Sequence, residues 1–262
     1  MIGAPGRLSR LLLVAFCTLV FAFLMLPLFV VFPLSVSSGS YLQFPPPGLS
    51  WRWFVGYFGS PSWIRATLVS IEVGCMTVFL SVLLGVPLAF YLVRGRLRPM
   101  TAAVDKLVVA PLIIPSIVTA IVLYSLFARR QMIGSYTALV LGHTVLGLPF
   151  VVVLVSAALR NFDTTIEDAA MGLGAGRLRA IMCVTIPQIR PSILSGGFFA
   201  FMASFDDVVI SLFLSGANMT LPRKTFENII TAIDPTVAAV SVLQILFVVA
   251  LGVAWYAFRR GG

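Results

Sequence analysis

The chain has 262 residues, 60% of them hydrophobic and 10% charged, and its mean hydropathy is +1.05. Soluble domains are about a quarter charged, so this composition excludes a soluble globular enzyme, a disordered tail and a coiled coil. The net charge of +9, from 18 Lys+Arg and 9 Asp+Glu, points in so apolar a chain to membrane topology rather than to nucleic acid.

About 20 apolar helical residues cross a hydrocarbon core of about 30 Å, and a charge at its centre costs at least a few kcal/mol, so uncharged runs between charge clusters locate the spans. Residues 1–10, with Arg7 and Arg10, are read as a cytoplasmic N-terminus. The run that follows, 11–36, is too long for a signal-peptide core and is read as a retained first span. Ser37 to Trp63 then contains Pro45, Pro46 and Pro47 followed by Trp51, Trp53, Tyr57, Phe58 and Trp63. This composition suits an extended outer strap leading into an interfacial aromatic belt.

The second span, 66–93, carries only Glu72, placed near the outer interface and seven residues after Arg65, on the same helix face; snorkelling or pairing with that arginine is expected. Spans three and four cover 107–128 and 136–159, the latter holding His143 as a neutral, hydrogen-bonded residue at a helix interface. Residues 160–191 read as short cytoplasmic helices, because Ile166, Ala169, Ala170 and Leu173 recur at helical spacing. The fifth span, 192–214, is interrupted only by Asp206 and Asp207; the segment 215–235 folds back outside; the sixth span is 236–258, and 259–262 form a cytoplasmic C-terminus.

This arrangement places Arg7, Arg10, Arg94, Arg96, Arg98, Lys106, Arg160, Arg177, Arg179, Arg190, Arg259 and Arg260 inside and six Lys/Arg outside. The asymmetry follows the positive-inside rule and predicts both ends in the cytoplasm. Pro27, Pro33, Pro87, Pro111, Pro115 and Pro149 fall within spans and are expected to kink them, as happens in helices lining a path. Cys17, Cys75 and Cys183 are odd in number and widely spaced, and are read as reduced packing residues.

The inner segment IEDAAMGLGAGRLRAIMCVTIPQIRP holds the most specific pattern. Ala169 and Ala170 give a helix a smooth side, while Glu167 and Asp168 place negative charge near its N-terminus, where the backbone dipole favours it. Gly174 and Gly176 permit a sharp turn, and Arg177 and Arg179 open a second helix expected to stop before Pro187. The product is a cytoplasmic helix-turn-helix knob shaped for a partner's cleft.

Asp168, Ala169, Ala170, three residues, Gly174, nine residues, then Val184, Thr185, Ile186 and Pro187 resembles the signature of permease subunits of ATP-binding-cassette importers, Glu-Ala-Ala, three residues, Gly, nine residues, Ile-x-Leu-Pro. The spacing is kept throughout; Asp168, Val184 and Ile186 are conservative departures. GHTVLGLPFVVVLVSAALRNFD, SFDDVVISLFLSG, LPRKTFENI and DPTVAAVSVLQIL extend the resemblance over roughly Tyr91 to Leu246, toward the second permease of spermidine/putrescine importers. Importers of other organic cations, amino-acid derivatives such as opines, and ferric iron share parts of these pieces.

The resemblance implies an all-α fold of six transmembrane helices with a cytoplasmic coupling helix-turn-helix, the type I importer permease, in a cell membrane, or the inner membrane where there are two. It further implies that Glu167, Asp168, Ala169, Ala170, Gly174, Arg177 and Pro187 couple the chain to a dimer of cytoplasmic ATP-binding subunits. A second six-span permease, an extracytoplasmic binding protein and membrane lipid complete the implied partners; no nucleic acid is expected.

The chain contains no GxxxxGK[ST], HExxH or GxSxG and no paired His/Cys spacing, so catalysis belongs on another subunit, which would hold ATP and Mg²⁺, with no cofactor on this chain. A self-sufficient secondary transporter would leave the knob without a role and predicts an internal repeat that is not apparent. A membrane-embedded enzyme has only His143, without a paired nucleophile. Asp206 and Asp207 cannot face lipid; either they line a substrate pathway for a cation or they brace neighbouring helices, with only one of two successive helical positions able to face a pathway.

Overall fold

A computed structural model describes residues 7–95, 98–231 and 234–260. The expected cytoplasmic ends at 1–6 and 261–262, and Arg96, lie outside the described residues. The described residues are predominantly helical, with a non-helical strap at 36–51, and they fall into two compact units, one of residues up to Pro61 and from Glu227, the other Ser62–Phe226.

In the first unit, α1 (Arg7–Ser35) is a 29-residue apolar helix that contains both Pro27 and Pro33. Its end is tied to the strap: Ser37 and Leu49 form an isolated antiparallel bridge, and the Trp53 indole donates to the Ser37 carbonyl at 2.9 Å. Trp53 sits on α2 (Arg52–Phe58), a helix the aromatic-belt reading did not anticipate. α12 (Thr236–Arg260) packs on α1 and α2.

The second unit is built around α3 (Pro61–Arg94), α6 (Tyr136–Arg160) and α9 (Ile186–Phe205). Without water-driven attraction between helices in lipid, close packing requires small residues at the crossings. Gly196, Ala200 and Ser204 form such a stripe on α9, with Ala200 fully buried and Ser204 nearly so. A Cβ on Gly196 would lie 2.8 Å from the Val151 Cα on α6, and one on Gly85 would lie 2.9 Å from Val151 Cγ1. Val151, Val155 and Ile189 fill the core beside these crossings, while Leu139, Ile210 and Leu214 fill a second cluster farther along the unit.

Four helices among the described residues are long and apolar enough to cross a membrane: Ser9–Ser35, Pro61–Arg94, Tyr136–Arg160 and Thr236–Ala257. The expected span 107–128 is instead a broken pair, α4 (Arg98–Ile113) and α5 (Ser116–Ala128), meeting at 109°. Pro115 caps α5 with an extended backbone, a sharper effect than the kink its position suggested. The expected span 192–214 is also interrupted: α9 ends at Phe205, and α10 (Val209–Leu214) restarts after Asp206, Asp207 and Val208. α11 (Leu221–Thr231) supplies the fold-back segment as a helix, with the Leu221 amide donating to Ser70 Oγ on α3 at 2.7 Å.

Candidate functional site

The knob consists of α7 (Thr164–Gly172), α8 (Arg177–Ala180) and a π-helical turn, Ile181–Thr185, that runs into α9. Asp163 caps α7, accepting the Thr165 amide at 3.0 Å and the Thr165 hydroxyl at 2.8 Å. Those two donors hold its carboxyl below the usual aspartate range. An aspartate directly before a helical pattern is the ordinary sequence signal of such a cap.

α7 ends in a Schellman motif: the Gly174 amide donates to the Met171 carbonyl at 2.9 Å and the Ala175 amide to the Ala170 carbonyl at 3.1 Å. The motif needs a left-handed residue, and Gly174 provides it with φ +92°. No atom lies within 4 Å of a Cβ built there, so the glycine answers a backbone requirement and not a steric one.

The second knob helix does not stop before Pro187. Thr185 and Ile186 keep helical angles, and the Ile186 amide reaches back five residues to the Ile181 carbonyl. A proline at the entrance of a helix sacrifices no intrahelical bond, and the wider π turn before it relieves the ring's crowding of the preceding turn, so the chain passes directly into α9. Pro187 itself is exposed.

The residues expected to couple divide into two sets by exposure. Asp168, Ala169, Gly174 and Arg177 are exposed and Ala170 half-buried; around them Leu173 and Leu178 expose 92% and 74% of their surface. Glu167 points the other way and is 5% exposed. Arg94 Nη1, at the end of α3, donates to both of its oxygens at 2.8 Å, and the Thr185 hydroxyl donates to Oε2 at 2.6 Å. Burial raises the Glu167 carboxyl, but the Thr185 hydroxyl and the Arg94 guanidinium outweigh it and hold the group below its ordinary value. Glu167 is therefore withdrawn from the exposed face of the knob, its carboxylate engaged by three internal hydrogen bonds.

The second constellation lies at the break between α9 and α10. Asp206 ends α9 and is exposed. Asp207 turns inward: its Oδ2 accepts the Ser211 amide at 3.2 Å and lies 3.9 Å from His143 Nε2. His143 is fully buried, its Nδ1 2.8 Å from Ser204 Oγ and its Nε2 3.2 Å from Ser211 Oγ. The histidine thus joins α6 to both sides of the break. No group of residues able to hold a metal ion occurs among the described residues.

One further expectation is corrected. Cys17, Cys75 and Cys183 are free but exposed, so they are not packing residues of this chain's core.

Residues 81–260 match the family described as the binding-protein-dependent transport system inner membrane component. The chain belongs to that family. Its relatives include the putrescine transport system permease protein PotI of Escherichia coli (strain K12), 32% identical over 268 residues, 99% of this chain and 92% of that protein. The spermidine/putrescine transport system permease protein PotC of Haemophilus influenzae is 30% identical over 238 residues, 90% of this chain and 92% of that protein.

Among solved structures, a bacterial ABC transporter involved in the import of the acidic polysaccharide alginate superposes with TM-score 0.74 at 16% identity, covering 97% of this chain and 99% of that one. The fold is that of a type I ABC importer permease, all-α and multi-pass in the membrane. The permease is a transport component and not an enzyme; ATP hydrolysis belongs to a separate subunit of the system.

Proposed function

We propose that this permease forms half of the translocation pathway of an ATP-driven importer for an organic cation, a polyamine of the putrescine or spermidine kind. Six spans, with both termini in the cytoplasm, complete the reading. The second half is a different six-span permease, two copies of an ATPase subunit hold ATP and Mg²⁺, and an extracytoplasmic binding protein delivers the solute. Exposed Asp168, Ala169, Gly174 and Arg177, with the apolar surface of Leu173 and Leu178, dock the knob into the ATPase.

The observation that carries the substrate assignment is the division of labour at the helix break. Asp207 is engaged by Ser211 and faces His143, whereas Asp206 is exposed on unwound chain in the middle of an otherwise apolar segment. A carboxylate there offsets the hydration an ammonium group loses on entering the bundle. The relatives named for putrescine and spermidine support the same charge preference.

The test is uptake of radiolabelled putrescine and spermidine by the complete complex. Asp206→Asn is expected to lower uptake at least tenfold while assembly and ATP hydrolysis persist. Asp207→Asn should impair uptake too, through the geometry of the break. Full uptake by both variants, or efficient transport of an anionic solute by the unaltered complex, contradicts the cation assignment.

A further inference from the structure

We propose that Arg94 is a positioning residue that carries displacement of the knob into α3, a helix to which the knob has no direct covalent connection. The proposal rests on the reading of the knob as the ATPase-docking element. Arg94 and Glu167 are 73 residues apart in sequence, so whatever moves α7 reaches α3 only through side chains and packing.

The contact is built as a clamp. Nη1 bonds both Glu167 oxygens at 2.8 Å, and the guanidinium lies over the Phe90 ring at 5.1 Å and the Phe162 ring at 5.9 Å. Phe90 is one turn back on α3, and Phe162 is in the connection between α6 and α7. Thr185 fixes the other side of the same carboxylate from the π turn, where it is fully buried. Two separate pieces of chain, the end of α3 and the π turn, therefore converge on Glu167, while Phe162 holds the Arg94 guanidinium from the α6–α7 connection. A π turn departs from regular helical spacing, and Thr185, the residue that closes it, is the one that reaches the carboxylate.

α3 is suited to pass a displacement onward. Its 34 residues span about 50 Å at about 1.5 Å per residue, and Ser70, 24 positions before Arg94, accepts the Leu221 amide at the start of α11. Between those ends α3 lies against α6 at Gly85 and against α9 at Gly74, where an added Cβ would meet Phe201 at 2.7 Å. α3 is one continuous helix through Pro87, so a displacement at Arg94 has an unbroken helical path to these contacts. Arg94 thus joins the docking element at one end to the chain that carries α11 at the other.

The complete complex, purified with its ATPase subunits and reconstituted in vesicles, is assayed for basal ATP hydrolysis and for its stimulation by the co-purified binding protein. Arg94→Gln leaves the docking surface intact and is expected to retain basal hydrolysis while stimulation falls at least fivefold. The exchanged pair Arg94→Glu with Glu167→Arg should recover most of the stimulation, a recovery that loss of packing alone would not give. Thr185→Val, which keeps the ion pair, should lose stimulation about twofold. Stimulation that survives Arg94→Gln, or an assembled exchange variant as unresponsive as the single one, overturns the proposal. Gly174→Val separates the two readings: if it abolishes stimulation while Arg94→Gln does not, the knob still docks and only the Arg94 link fails. If Gly174→Val has no effect, the docking assignment itself falls.

Discussion

Glu167 is the residue whose environment departs most from what its neighbours in sequence suggest. An acid in the first turn of a helix is ordinarily placed by the backbone dipole and left in water, but here it is buried against Arg94 and Thr185. Its carboxyl lies below the 4.5 of an ordinary glutamate, so its contribution to stability is present above about pH 4.5 and is lost as pH falls through the lower, folded-state value. Removing one partner of a buried pair costs about 3–5 kcal/mol, and the 17% exposure of the Arg94 side chain argues for the lower end. Glu167→Gln should therefore lower the unfolding midpoint of the detergent-solubilised protein at pH 7 and flatten its decline below pH 4.5. Denaturation curves recorded from pH 7 to 3 would show this; parallel curves for the two proteins would contradict the pairing.

At the scale of elements, the contact between α6 and α9 depends on the absence of side chains. Gly196 faces backbone across that contact, 2.8 Å from the Val151 Cα to any added Cβ, and a helix backbone cannot yield as a flexible side chain can. Gly196→Val should cost about 3 kcal/mol through overpacking and should reduce the folded, assembled fraction recovered in detergent. Gly172→Val, at a position with nothing within 4 Å, should leave that fraction nearly unchanged. Equal recovery of the two variants would show that the α6–α9 crossing is looser than described.

The same scale shows what the sequence could disclose. Four of the charge-bounded apolar runs, 11–36, 66–93, 136–159 and 236–258, are legible as long apolar helices, and the knob is legible because Gly174 and Pro187 keep a fixed spacing with Asp168. The bend at Pro115 was not, because a proline inside an apolar run reads alike whether it kinks a helix or ends one. Nor was the passage of the knob helix through Pro187, which depends on a π turn that no residue type announces. The pairing of Glu167 with Arg94 lies beyond any helical periodicity, and the inward turn of Asp207 is decided by His143 and Ser211 on neighbouring elements. Side-chain direction at these places is a tertiary property, whereas the spans and the turn at Gly174 are local ones.

At the scale of the whole molecule, the permease is proposed to be driven through one small element, the α7–α8 knob. That drive depends on Gly174, whose φ of +92° forms the Schellman turn between α7 and α8 and whose surroundings are open. A β-branched residue held in that backbone region costs about 1–3 kcal/mol, enough to reshape the turn without touching the packed spans. The most direct measurement is paired: solute uptake and binding-protein-stimulated ATP hydrolysis by the reconstituted complex carrying Gly174→Val. The expected result is normal insertion in the membrane with both activities falling together, at least tenfold. Unchanged uptake with unchanged stimulated hydrolysis would contradict the account.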